Sequence, residues 1–322
     1  MALRGTGRLR EQTRVRILQA AARLQYRPNS AARATRIGRL GSVDLLLGTR
    51  TASSLLPEQL LAEIHDALAQ HSLRLAISRI PDDKLTDLSY VPRILMELSA
   101  DGLLINYNAA VPPRMVELIE HHHLPSIWLN VCRAHDAVFP NDFQAARELT
   151  AAMMRLGHKR IAYVDYTHDP MGAPQHYSGV DRQRSYMQSM CEAGLEPLRL
   201  GSPQLRPRDG MVQTMRRSLA AAGRPTAVIA YGPEEARATI AAAMIERLDV
   251  PRDLSVACFG DRAIHDVGPR VTTMLLPHKA MAQQAVDMLM RKMTLPPEPI
   301  DAKAVAFEFL KAQTMAAAPA LQ

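Results

Sequence analysis

The sequence predicts an α/β fold with two lobes, each a doubly wound parallel sheet, preceded by a short all-α arm. Three observations predict it. From Ser42 onward, short and nearly continuous apolar runs alternate with amphipathic stretches at helical spacing, the pattern of parallel strands buried on both faces and joined by crossover helices. The alternation runs through one series and then restarts, so one sheet is not enough. The 322 residues suffice for a small module and two lobes that each bury an apolar interior.

The arm comes first. Glu11-Gln12-Thr13 precede Val15, Ile17, Leu18, Ala21, Ala22 and Leu24, an apolar stripe with Arg14, Arg16 and Arg23 elsewhere around the cylinder. This spacing predicts an amphipathic helix of about three to four turns that ends at Gln25-Tyr26. Pro28 breaks the chain, and Asn29-Ser30 can cap a second, short helix over residues 31–36 before Gly38 and Gly41. That helix has almost nothing apolar to bury and is too short to stand alone, so it reads as a segment that folds against a partner.

The first lobe follows as strand 42–47, helix 57–71, strand 73–78, helix 90–99, strand 102–105, helix 113–122 and strand 126–129. A helix at 145–156 leads to strand 160–164. The second series is helix 181–193, a strand near Leu198, helix 212–222, strand 227–230 and helix 234–248. The cleft between the lobes, outside the carboxyl ends of the strands, is the expected ligand site.

Composition narrows the function. With 22% charged and 47% hydrophobic residues the chain is neither disordered nor collagen-like nor a coiled coil. No apolar run approaches the roughly 18 residues of a membrane span, and the N-terminus lacks the apolar core of a signal peptide, so a cytoplasmic chain without membrane contact is expected. Cys132, Cys191 and Cys258 stand at wide, unrelated spacings, which suits three buried thiols better than disulfides or a metal site. Residues 1–40 hold ten arginines and one acid, a net of +9, so the remaining chain sums to −2 against the total of +7. A basic arm on a near-neutral body suits phosphate neutralisation on nucleic acid. Charge alone leaves a solvated basic helix or a membrane-surface patch open.

The residues also carry a resemblance. Residues 13–29, then Ser30-Ala31-Ala32-Arg33 and the strand at Ser42, resemble the last headpiece helix and the hinge helix of the LacI/GalR family of transcriptional regulators. Asp101-Gly102-Leu103-Leu104-Ile105, Leu156-Gly157-His158-Lys159-Arg160-Ile161-Ala162, residues 254–261, Thr272-Thr273 and residues 277–289 are similar to later family segments in the same order. The resemblance implies a partial helix-turn-helix headpiece and hinge over 1–41 and a periplasmic-binding-protein-like core over 42–322. Lobe 1 would take about 42–159 and 276–300, and lobe 2 about 160–275 and 301–315. It implies duplex operator DNA as partner, with contacts from Arg4, Arg14, Tyr26, Asn29, Ala32, Arg33, Thr35 and Arg36. Tyr26 has packing against the headpiece as its alternative role.

Two departures mark the arm. The family headpiece begins with roughly twenty further residues that include the recognition helix, whereas Met1-Ala2-Leu3-Arg4-Gly5 resembles that helix's tail. Either the true start lies upstream, the favoured reading, or the base-reading element is missing. In the second case Arg–phosphate attraction would remain as weak, salt-sensitive binding. Thr35 stands where the family hinge offers a Leu wedge, so the kink is shallower or Ile37 takes the role.

For the cleft, the resemblance implies an effector site at Asn141, Asp142, Arg182, Tyr231 and Asp261. Arg182 matches the family arginine that grips the effector with its planar fork, its alternative being a surface arginine at a helix start. Tyr231 and Gly260 replace usual polar anchors, so a small-molecule effector, sugar-like in the family, is expected to be divergent here. His121-His122-His123 lacks metal-ligand spacing, Gly5-Thr6-Gly7-Arg8-Leu9-Arg10 lacks the dinucleotide fingerprint, and no nucleophile elbow or phosphate loop occurs. No cofactor, metal or enzymatic activity is expected. The methionines, Met281, Met288 and Met293 among them, read as core and interface filler. The expectation is a homodimeric DNA-binding regulator, of the repressor type, answering to an effector. The alternative is a solute-binding or interaction protein on the same core without sequence-specific DNA binding.

Overall fold

A computed structural model describes residues 10–25, 38–49, 54–81, 99–107, 111–167, 176–201, 208–295 and 298–320. The helices in chain order are α1 (Glu11–Arg23), α2 (Glu58–Gln70), α3 (Pro113–His121), α4 (Asp142–Arg155), α5 (Tyr177–Glu192), α6 (Arg208–Ala220), α7 (Pro233–Ile245) and α8 (His278–Lys292). The strands are β1 (Ser42–Gly48), β2 (Arg74–Ile80), β3 (Gly102–Asn106), β4 (Ser126–Leu129), β5 (Ala137–Pro140), β6 (Ile161–Val164), β7 (Leu198–Leu200), β8 (Ala227–Ala230), β9 (Ser255–Gly260), β10 (Thr272–Leu275), β11 (Lys303–Val305) and β12 (Glu308–Leu310).

They form two six-stranded sheets, ordered β11-β5-β4-β3-β1-β2 and β12-β10-β9-β8-β6-β7. All pairings are parallel except that of β12 with β10. The inner strands β1, β3, β4, β6, β8 and β9 are buried on both faces and mostly apolar because helices cover both sides, with Asp44 of β1 and Asn106 of β3 as buried polar exceptions. One face of the first sheet packs Val43, Leu45 and Leu104 against Ile64 and Leu68 of α2 and Met281, Val286 and Leu289 of α8. Its other face packs Leu46, Ile105 and Trp128 against Met115 and Leu118 of α3. The second sheet is covered by α6 and α7 on one side and by α4 and α5 on the other.

The structure corrects the sequence reading in several places. The chain enters the second lobe before α4, not after residue 159, because Ala145, Leu149 and Met153 pack with Ile161 and Tyr163. The later boundary also moves, since β11 stays with the first sheet and β12 joins the second. Strands β5, β11 and β12 were not anticipated: β11 and β12 are three-residue edge strands that expose a Lys and a Glu, and β5 is four residues ending in a proline. The helices expected at 145 and 181 start at Asp142 and Tyr177, each with a side chain capping the first turn. Of the three thiols only Cys258 is buried, and Cys132 and Cys191 are exposed. Cys132 follows β4 in a connection, and Cys191 lies on the outer side of α5. Met281 and Met288 are buried in the first core and Met293 packs on it.

In the arm, α1 forms as expected, but none of its residues is buried. Val15, Ile17 and Leu18 stay about 40% exposed. The expected helices at 31–36 and 90–99 lie outside the described residues. Among the described residues no helix is long and apolar enough to cross a membrane.

Candidate functional site

Both sheets run in the order 2-1-3-4-5 over their first five strands, which places a topological switch between β1 and β3 and again between β6 and β8. Connections that leave such neighbouring strands diverge, and the crevice between them opens at the carboxyl ends. Asn106 ends β3, Asp165 follows β6 and Tyr231 follows β8. The register pairs Val164 with Ala230. Tyr231 N–H donates to Val164 O at 2.8 Å, so Asp165 and Tyr231 stand side by side.

Arg182 reaches Tyr231 from α5. It sits on the buried face of α5 with Ser178, Gly179, Ser185, Tyr186 and Ser189, the i, i+3, i+4 set of one helical stripe. It is 6% exposed. Its Nε donates to Asp142 Oδ1 at 2.6 Å and its Nη1 to the Tyr231 carbonyl at 2.8 Å. Aromatic rings wall the guanidinium, with its carbon 4.2 Å from the Phe259 centroid, 4.8 Å from that of Tyr231 and 5.8 Å from that of Phe307. Burial opposes the charge, but Asp142, then Tyr231 and Tyr163, more than restore it, so the guanidinium stays ionised.

Asp142 comes from the first turn of α4. Asn141 caps that helix by accepting from Gln144 N–H at 3.2 Å, which orients the acid next to it. The second oxygen of Asp142, Oδ2, is buried without a partner among the described residues. A polar relay continues across the cleft. His176 Nε2 donates to the Asn130 carbonyl at 3.1 Å, which assigns the proton to that nitrogen and leaves Nδ1 to accept from Ser178 Oγ at 2.7 Å. Tyr231 Oη completes the chain at 3.0 Å from Ser178 Oγ. Burial pulls the His176 pKa down, in keeping with a neutral ring. Tyr177 Oη also reaches Asn130 Oδ1 and the Pro140 carbonyl, each at 3.3 Å. Asn130 follows β4 of the first sheet, so these bonds join the lobes directly.

Further acceptors face inward. Asp165 Oδ1 receives the Thr167 N–H and hydroxyl at 2.7 and 2.6 Å, while Oδ2 is buried and unpartnered among the described residues. The Tyr163 hydroxyl and Gln183 Oε1 share that condition, and the three residues line one small cavity of about 20 Å³. In the first lobe Asn106 Nδ2 donates to the Leu55 carbonyl at 3.1 Å, and its Oδ1 is unpartnered among the described residues. Unmatched carboxylate and amide oxygens beside ring faces suit a small ligand that brings its own N–H or O–H donors.

Three of the expected cleft residues, Asp142, Arg182 and Tyr231, therefore meet. Asn141 is engaged as a helix cap. Asp261 is engaged elsewhere, with its Oδ1 2.7 Å from Nε2 of the buried His278 at the start of α8. Arg14 is on α1, 4.0 Å from Glu11. The other expected DNA contacts, Arg4, Tyr26, Asn29, Ala32, Arg33, Thr35 and Arg36, lie outside the described residues. Sequence reasoning missed Asn106, Asp165, His176, Phe259 and Phe307. Asp165 carried a usable signal, a polar residue directly after the apolar run 161–164; Phe307 carried none, since it is 125 residues from the arginine it covers.

Comparison with known proteins agrees with this architecture. The profile described as a periplasmic binding protein-like domain matches residues 150–306. The HTH-type transcriptional repressor PurR of Klebsiella pneumoniae (strain 342) is 24% identical over 287 residues, 87% of this chain and 81% of that protein. PurR of Escherichia fergusonii is 25% identical over 290 residues, with the same two shares, 87% and 81%. Among solved structures, the Lac repressor bound to ONPG in the repressed state superposes with a TM-score of 0.74 at 18% identity, covering 97% of this chain and 93% of that one. The transcriptional regulator CelR–cellobiose complex gives 0.66 at 17% identity, with 97% and 94% covered. At those identities the structures speak to the fold.

Proposed function

We propose, for a chain that belongs to the LacI/GalR family of transcriptional regulators, a cytoplasmic repressor that grips duplex DNA through its arginine-rich arm and reads a small effector in the inter-lobe cleft. The observation that carries the reading is the division of charge: +9 over residues 1–40, −2 over the rest. Each arginine that neutralises a phosphate releases a counterion, so the arm supplies affinity that the near-neutral body does not. Arg4, Arg14, Tyr26, Asn29, Ala32, Arg33, Thr35 and Arg36 are the proposed contacts.

In the cleft, Asp142, Arg182 and Tyr231 form the effector floor, with Asn141 and Asp261 beside it. The free acceptor oxygens of Asp142 and Asp165 support a ligand rich in donors, and the ring of Tyr231 supports one with a flat face. The His176–Asn130 and Tyr177–Asn130 bonds join the lobes, so a ligand that rearranges Tyr231 alters how the lobes close and, through β1, how two arms are spaced. A homodimer is supported by apolar side chains left exposed: Ile77 on the edge strand β2, and Met244 and Ile245 at the end of α7.

The test is a salt series of duplex binding by the full chain. The expected result is a log–log slope of about −5 or steeper, as for six or more neutralised phosphates. No affinity for any duplex at low ionic strength overturns the reading.

A further inference from the structure

We propose a second small-molecule site in the first lobe, distinct from the cleft, that takes an aryl carboxylate. A cavity of about 620 Å³ opens between the end of α3, the start of β4 and the end of α8. It lies at the amino ends of the strands, the opposite edge of the sheet from the cleft. Its volume is that of sites for small organic ligands. The floor is apolar, with Ile119, Leu124 and the ring of Trp128, while Arg133, Lys292 and His123 stand at its sides. His123 is the last of three consecutive histidines, and its left-handed backbone, φ 50°, turns the chain out of α3 at this wall.

Charge chooses the ligand. Lys292 is matched, with Nζ 2.5 Å from Asp136 Oδ2. The other Asp136 oxygen accepts the Ile300 N–H at 3.0 Å, so each oxygen of that acid has a partner. Arg133 is different. Its guanidinium carbon sits 4.7 Å from the Trp128 centroid, and its ion partner among the described residues, the exposed Glu120, is 3.9 Å away. A guanidinium held over an indole with a loose, solvent-screened partner keeps donors for a carboxylate, and the apolar floor beneath accepts the ring that carries it. The carbonyls that end α3 accept the His122, His123 and Leu124 N–H groups, which lessens their repulsion of an anion at this wall, and the donors for it come from Arg133. The site also borders the arm: Lys292 precedes Met293, whose carbonyl accepts from Arg39 Nη2 at 3.3 Å.

Trp128 is the only tryptophan of the chain, so its emission reports this wall alone. The experiment titrates the full chain with benzoate and with benzamide, exciting where neither absorbs. The expected result is a saturable change with benzoate and a far weaker one with benzamide. Arg133→Gln should weaken benzoate about tenfold, equivalent to about 1.4 kcal/mol, with circular dichroism unchanged. Arg252→Gln, which removes an exposed arginine of the second lobe, should leave the titration as it is. Failure of benzoate to change the emission at millimolar concentration, equal binding of the amide, or full affinity in Arg133→Gln overturns the proposal. An equal weakening in Arg252→Gln overturns it too, by making the effect one of overall charge.

Discussion

The Asp142–Arg182 pair offers the sharpest quantitative test of the cleft. Asp142 is 1% and Arg182 7% exposed at the side chain, so solvent does little to screen either charge. Removing one member of a buried pair strands the other, at a cost of about 3–5 kcal/mol. Asp142→Asn keeps the side-chain volume, so no cavity confounds the measurement, and it turns an acceptor beside Arg182 Nε into a neutral amide. Against a total stability of roughly 5–15 kcal/mol the loss is large. It corresponds to a midpoint drop of about 6–20 °C, from about 2–4 °C per kcal/mol for a domain of lobe size. Arg182→Met should cost a similar amount alone. The double variant should recover most of it, because a buried pair exchanged for apolar groups is often neutral. Urea unfolding followed by far-ultraviolet circular dichroism reads all four corners of the cycle, the native chain included. Arg252→Gln serves as the control, since its bridge to Asp249 is 2.6 Å long but exposed by 78% and 63%, where pairs contribute at most about 1 kcal/mol. A loss under about 0.5 kcal/mol in Asp142→Asn, or a double variant no better than the singles, refutes the reasoning.

Three further outcomes follow from the fold. His158 is buried between Thr226 Oγ1 at 3.0 Å and Ser255 Oγ and the Ala316 carbonyl at 3.1 Å, and burial pulls its pKa below the ordinary value. The unfolded chain therefore takes up the proton first, and stability falls as pH drops below about 6.5 toward the depressed folded value. His158→Asn should lessen that dependence by up to about 1.4 kcal/mol per pH unit; urea midpoints that decline equally in both proteins would contradict it. Gly201 has φ 118°, and a Cβ there would sit 2.2 Å from the Asp165 carbonyl oxygen, so Gly201→Ala should destabilise by about 1–3 kcal/mol or more. An unchanged melting curve sinks that claim. In a thiol titration of the native protein, Cys132 and Cys191 should react and Cys258 only after denaturation, given the burial that raises the Cys258 pKa to about 12; three native equivalents would disprove the burial of Cys258.

How much of this was legible in the chain depends on whether the signal was local. The largely apolar runs at 42–47, 102–105, 161–164 and 227–230 each became a buried strand, because a strand covered on both faces is apolar over most of its length. The crossover helices followed from their own periodicity, and the charge division needed only counting. The resemblance to LacI/GalR regulators singled out Asp142, Arg182 and Tyr231 before any geometry was known. Their mutual arrangement was not legible, since the 40 residues between Asp142 and Arg182 carry no mark of a 2.6 Å contact. Tertiary structure alone decided that Arg182 is walled by Phe259 and Phe307, that Asn141 is a helix cap, that Asp261 meets His278, and that the chain changes lobes before α4. Short-range pattern fixes what each segment becomes. Which side chains share a buried space is set by sheet order and register, and these arise only when distant segments pack.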